Sequence, residues 1–158
     1  MPRRYGKRAD TALDMWVKLA RAFSVFSRRS EEQIRSFGLT PAQFSTLECL
    51  GHKGTMTLGE LCKKQLVSGG NMTVVVDHLE RDNLVERVRS RKDRRSIAVR
   101  LTPRGKGLFG RIFPSHARYI ADVASVLTQT EQTALAALLK KLGKAVAEEQ
   151  EKEVHRVS

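Results

Sequence analysis

The sequence predicts a mainly α protein carrying one small β-hairpin, an α+β class. Three observations predict it. Apolar residues recur at helical spacing from about residue 10 to residue 82. The spacing drops to two between Leu84 and Leu101. It returns to helical after Pro103 and holds as far as Val146.

The first helix is expected over 10–37, with Ala12, Trp16, Leu19, Phe23, Phe26, Ile34 and Phe37 near a 3.6-residue repeat and Gly38 as a left-handed stop. Thr40-Pro41-Ala42-Gln43 opens a second helix: Thr40 caps, Pro41 suits the first helical position, and Gln43 closes a capping box. This helix buries Phe44, Leu47 and Leu50 and is expected to end near Gly51. Thr57-Leu58-Gly59-Glu60 is a second box, opening a third helix that buries Leu58, Leu61 and Cys62 and stops near Leu66. Ser68 caps a fourth helix running to about Asp82, with Met72, Val75, Val76 and Leu79 inward. Asn83 stands where a left-handed cap is needed, a place asparagine takes next after glycine.

Leu84–Arg89 and Ser96–Leu101 then read as two strands, the second with Ile97, Val99 and Leu101 on one face. Ser90-Arg91-Lys92-Asp93-Arg94-Arg95 is the loop between them. So short a pair must lean on the helices, because a lone hairpin is marginal in water. Thr102-Pro103 starts a fifth helix burying Leu108, Ile112, Ile120, Val123 and Leu127, with a kink or break expected at Pro114. Thr128-Gln129-Thr130-Glu131 is a third capping box. The sixth helix behind it presents Leu135, Leu138, Leu139, Leu142 and Val146, and fraying is expected from Glu148 onward.

Composition narrows the function. With 41% hydrophobic and 29% charged residues the 158-residue chain is of ordinary globular make-up. No apolar run approaches the ~20 residues of a membrane span, and no apolar stretch follows the basic N-terminus to make a secretory leader. A cytoplasmic setting is expected, with Cys49 and Cys62 as reduced thiols. Lys and Arg number 29 against 17 acids, a net charge of +12, with a pI near 10.3. The whole surplus lies in two stretches. Residues 1–9 hold Arg3, Arg4, Lys7 and Arg8 without an acid, and residues 87–106 hold nine cations against Asp93 alone. Such clustering points to a polyanion rather than to solubility.

Three short helices followed by a hairpin with a basic tip is the order of a winged helix-turn-helix. The second helix of such a pair enters the major groove with its N-terminal end, here the helix capped by Ser68. Gly69 and Gly70 let the backbone approach phosphates, Asn71 can pair with a base edge, and Thr73 and Val74 can touch a thymine methyl. The loop Arg91, Lys92, Asp93, Arg94, Arg95 is the wing. Arg94 and Arg95 are candidates for a narrow minor groove, with Asp93 orienting a neighbouring arginine.

The chain resembles the multiple antibiotic resistance regulator (MarR) family over nearly its whole length. The resemblance rests on Leu39-Thr40-Pro41-Ala42-Gln43-Phe44, on Leu58-Gly59-Glu60-Leu61 and on Thr73 through Arg87 (TVVVDHLERDNLVER). Its most specific part is Asp93-Arg94-Arg95 followed by Val99-Arg100-Leu101-Thr102-Pro103-Arg104-Gly105. It implies an obligate homodimer formed by the first, fifth and sixth helices, a palindromic double-stranded DNA operator and, often, release by a small aromatic anion or an oxidant. Asn83 departs from the family's usual glycine. Peroxide-sensing members carry a reactive cysteine near the N-terminus, which this chain lacks, so an oxidant is the less favoured signal.

The expected partition is a dimerisation helix at 1–37, a winged helix-turn-helix at 38–101 and dimerisation helices at 102–158. The expected function is a dimeric, sequence-specific transcription regulator, a repressor being the favoured direction. The competing readings are a non-specific architectural or RNA-binding protein and a ligand-binding protein that has lost DNA binding. Trp16, Phe23, Phe26, Phe44 and His116 are the candidate lining of an effector pocket. No cofactor or metal is expected, since His52, His78, His116 and His155 lack ligand spacing. No Gly-rich phosphate loop or nucleophile elbow supports an enzyme.

Overall fold

The computed structural model describes residues 5–65, 68–89 and 96–157, the side chains of 150–157 excepted. Its elements run α1 (Lys7–Ser36), α2 (Pro41–Lys53), β1 (Met56–Thr57), α3 (Leu58–Gln65), α4 (Gly69–Arg81), β2 (Val85–Arg89), β3 (Ile97–Leu101), α5 (Pro103–Ala124) and α6 (Gln129–Val157). The chain divides into two compact units, Met1–Arg118 and Tyr119–Ser158, the boundary falling within α5.

In the first unit α2, α3 and α4 pack on one another, and α4 packs on β2. Leu47, Leu61, Met72, Val76, Leu79, Val85 and Val99 are almost wholly buried between them. A polar link crosses this core. Gln65 Nε2 donates to Thr46 Oγ1 at 3.0 Å. Thr46, itself fully buried, donates to the Ala42 carbonyl at 2.8 Å. Both hydrogen-bonding roles of a buried hydroxyl are thus filled, and α3 is tied to α2.

All three capping boxes form. Gln43 N–H donates to Thr40 Oγ1 at 3.2 Å while Thr40 N–H donates to Gln43 Oε1 at 2.8 Å. Thr57 and Glu60 repeat the exchange at 3.2 and 2.7 Å, and Thr128 and Glu131 at 3.3 and 2.8 Å. In the second unit Gln132 Nε2 adds bonds to the Ala124 and Leu127 carbonyls at 3.1 and 2.9 Å, holding the turn between α5 and α6.

The end of α4 shows why asparagine stands at position 83. Asn83 is left-handed (φ 57°), the single non-glycine with positive φ among the described residues. Its N–H donates to Glu80 O at 2.9 Å and Leu84 N–H to Leu79 O at 2.8 Å, a six-to-one closure that returns Leu84 to the core beside Leu79. Asn83→Gly is therefore expected to leave the melting temperature unchanged or slightly raised. Asn83→Val should cost about 1–3 kcal/mol in urea titrations, because a β-branched residue resists this conformation.

Five expectations are corrected. The hairpin is part of a three-stranded antiparallel sheet of order β1-β3-β2, in which Met56 pairs with Val99 and Thr57 with Ala98. Helix α2 passes through Gly51 and stops at Gly54, whose φ of 78° supplies the left-handed turn. Gly51 instead makes room for Phe109, whose ring lies 2.5 Å from where a Cβ would stand. Ile97 is exposed although Val99 and Leu101 are buried, because it lies one residue beyond the last partner of β1. Helix α5 is unbroken at Pro114. The carbonyl that loses its donor belongs to Gly110, an exposed residue, so solvent can satisfy it. Helix α6 continues past Glu148 to Val157, as suits a run of alanine, glutamate, glutamine and lysine.

Candidate nucleic-acid interface

Helix α4 has two faces. Met72, Val76 and Leu79 point into the core. Ser68, Gly69, Gly70, Asn71, Thr73 and Val74 are all exposed, at the N-terminal end expected to read DNA. Ser68 Oγ accepts from Asn71 N–H at 3.4 Å, which starts the helix at Gly69. Gly69 and Gly70 lack positive φ, and open space surrounds the place of a Cβ at each. The fold therefore does not require glycine at either position, and the backbone there is open to solvent. Thr73 Oγ1 donates to the Gly69 carbonyl at 3.0 Å, which uses its proton and leaves a methyl group and an acceptor lone pair outward. The helix N-terminus adds partial positive charge at this end.

The basic stretch at 87–106 is less free than its composition suggests. Arg87 Nη2 donates to Asp77 Oδ1 at 2.5 Å and its Nη1 to Glu80 Oε2. Burial alone would lower its pKa, but the bonds to Asp77 and Glu80 outweigh that and raise it. Arg100 Nε donates to Glu86 Oε1 at 2.8 Å, straight across the β2–β3 ladder where the two residues pair. Arg89 is exposed at the end of β2. The wing candidates Arg91, Lys92, Asp93, Arg94 and Arg95 lie outside the described residues.

The candidate effector residues do not converge on one cavity within the described unit. Phe44 is buried, 6.4 Å from the Phe37 ring and 4.6 Å edge-on from His116. His116 Nδ1 donates to Gln33 Oε1 at 2.7 Å. Burial pushes its pKa down, against a smaller pull upward from Glu48. Trp16, Phe23 and Phe26 are exposed along α1 instead. The Cys49 thiol is pushed up, first by burial and then by Glu48 against Lys64, as befits an unreactive thiol. No group of three or more His, Cys, Asp or Glu side chains could hold a metal among the described residues. Nor is any helix there long and apolar enough to cross a membrane.

Comparison with known proteins decides the family. The MarR family model matches residues 39–97, from just before α2 to the start of β3. The HTH-type transcriptional regulator MhqR of Bacillus subtilis is 36% identical over 134 residues, spanning 85% of this chain and 92% of its own. The chain belongs to the MarR family. It is a DNA-binding transcription regulator of winged helix-turn-helix fold and not an enzyme. AbsC of Streptomyces coelicolor shares this MarR fold at a TM-score of 0.80 and 22% identity, over 92% of this chain and 99% of AbsC. BpsR of Bordetella bronchiseptica, whose DNA binding is described as regulated by 6-hydroxynicotinic acid, matches at a TM-score of 0.72 and 25% identity, over 82% of this chain and 98% of BpsR.

Proposed function

We propose that this MarR-family chain acts in the cytoplasm as a homodimeric repressor of a palindromic operator. Each subunit presents the N-terminal turn of α4 to the major groove and the loop at 91–95 to the minor groove. The observation that carries the reading is the glycine pair at 69–70: exposed, unstrained and unneeded by the fold, at the head of a helix whose other face is core. Homodimerisation is supported by the apolar residues left exposed on α1 and α6, among them Trp16, Phe23, Leu138 and Leu139. A monomer of this size rarely leaves such stripes open. A small aromatic acid is the effector class this reading favours, because BpsR responds to one and Phe44 and His116 already stand edge-on. Segments 1–37 and 102–158 would then hold the dimer, and 38–101 would read the DNA.

Fluorescence anisotropy on duplexes that the wild-type chain selects from a random pool tests this. Asn71→Ala should lower discrimination between selected and random duplex by about 1–3 kcal/mol, the value of one good base contact, while affinity for random duplex holds. An equal loss on both would make Asn71 a phosphate contact and remove it from base reading.

A further inference from the structure

The outward stripe of α4 carries an acid where a polyanion is to dock. Asp77 lies one turn beyond Thr73 and Val74 on the same face and is half exposed. Glu80 follows on the flank, partly exposed as well. Two carboxylates beside a phosphate backbone oppose binding. Arg87 reaches both from β2. One arm of its guanidinium bonds Asp77 at 2.5 Å and the other bonds Glu80. Its own backbone N–H donates to Glu80 Oε1 at 3.0 Å. The arginine side chain is 23% exposed, less than either acid. Both of its terminal nitrogens donate to these carboxylates, and the planar fork suits two carboxylates on successive turns as a lysine would not.

We propose that Arg87 is an internal counter-ion and not a phosphate contact. It masks Asp77 and Glu80 so that α4 can approach DNA, and it ties the foot of the hairpin to that helix. This rests on the reading that α4 faces DNA. Arg87 is then a positioning residue. The affinity of the basic stretch comes from its other cations.

Anisotropy on the selected duplex, repeated across a salt series, separates masking from contact. Arg87→Gln should weaken binding roughly tenfold, since two unmasked carboxylates then face phosphates through partly screened solvent. The triple variant Asp77→Asn, Glu80→Gln, Arg87→Gln should return to within about threefold of wild type, with an unchanged slope of log affinity on log salt. A direct phosphate contact predicts otherwise: the triple variant would stay weak and its slope would fall by about 0.9, the loss of one released counterion. That result overturns the proposal. Thermal melting accompanies each variant. If Arg87→Gln does not fold, the triple variant against wild type decides alone, because it leaves no charge unpaired. Val74→Glu, on the exposed stripe but outside the ion cluster, separates the two levels. If it binds as wild type, α4 does not face DNA and both readings fall. If it loses binding while a folded Arg87→Gln does not, only the counter-ion assignment fails.

Discussion

Replacing Gly105 by alanine is expected to destabilise the chain by about 3 kcal/mol or more, at the upper end of the range for overpacked sites. The cause is local. A Cβ at position 105 would stand 1.9 Å from the Leu84 carbonyl oxygen and 2.9 Å from its carbon. That carbonyl cannot retreat cheaply, because it accepts from Thr102 N–H at 3.1 Å. Thr102, itself buried, holds the same corner from the other side. Its hydroxyl donates to the Asn83 carbonyl at 2.7 Å and accepts from Gly105 N–H at 3.0 Å. The alanine methyl would therefore have to part β2 from the start of α5 and break the closure that ends α4. Urea titration at fixed protein concentration is the measurement, since oligomer formation makes apparent stability depend on concentration. A midpoint within experimental error of wild type would show that the corner is pliable. Gly107 is the control: a Cβ there meets nothing within 4 Å, so Gly107→Ala in mid-helix should be neutral or mildly stabilising.

That corner also shows what could and could not be read from the sequence. The helix starts were legible because Thr40, Thr57 and Thr128 each precede a Gln or Glu by three residues, and side chain and backbone there are local partners. Asn83 was legible for the same reason, since left-handed caps are a one-residue preference. Strand β1 was not. Its two residues have no period of their own and become a strand only by pairing with Val99 and Ala98, more than forty positions away. Gly51 was misread as a stop because a glycine that makes room for Phe109 looks, in sequence, like one that turns the chain. The electrostatics followed suit. Counting charge along residues 87–106 located the cationic stretch, but not that Arg87 answers acids on α4 and Arg100 an acid on the neighbouring strand. The exposed face of α4 was legible because it is the complement of a helical core stripe. Of the candidate effector residues, Phe44 and His116 stand together while Trp16, Phe23 and Phe26 are exposed on α1, because helical spacing alone does not say what an aromatic will face.

The second large effect concerns the proposed homodimer. Leu138→Lys together with Leu142→Lys should convert the protein to a monomer in light scattering and weaken operator binding by ~10²–10⁴-fold, the advantage lost when two linked sites become separate. Both leucines are exposed on α6, so in the isolated chain neither change removes core packing, and circular dichroism should keep its helical signal. Lysine makes the test strict. It adds positive charge, which by counterion release would strengthen non-specific attraction to DNA. A fall in operator affinity then cannot be laid to electrostatics and must come from the loss of paired half-sites, spaced on the duplex by ~34–36 Å or a multiple of it. Affinity for a duplex carrying one half-site should stay at or above the wild-type value, because α4 and the basic stretch are untouched. A variant that remains dimeric would move the interface off this stripe of α6. A monomer that held its full operator affinity would mean that one subunit reads the site unaided, and the two-fold arrangement would then have no part in recognition.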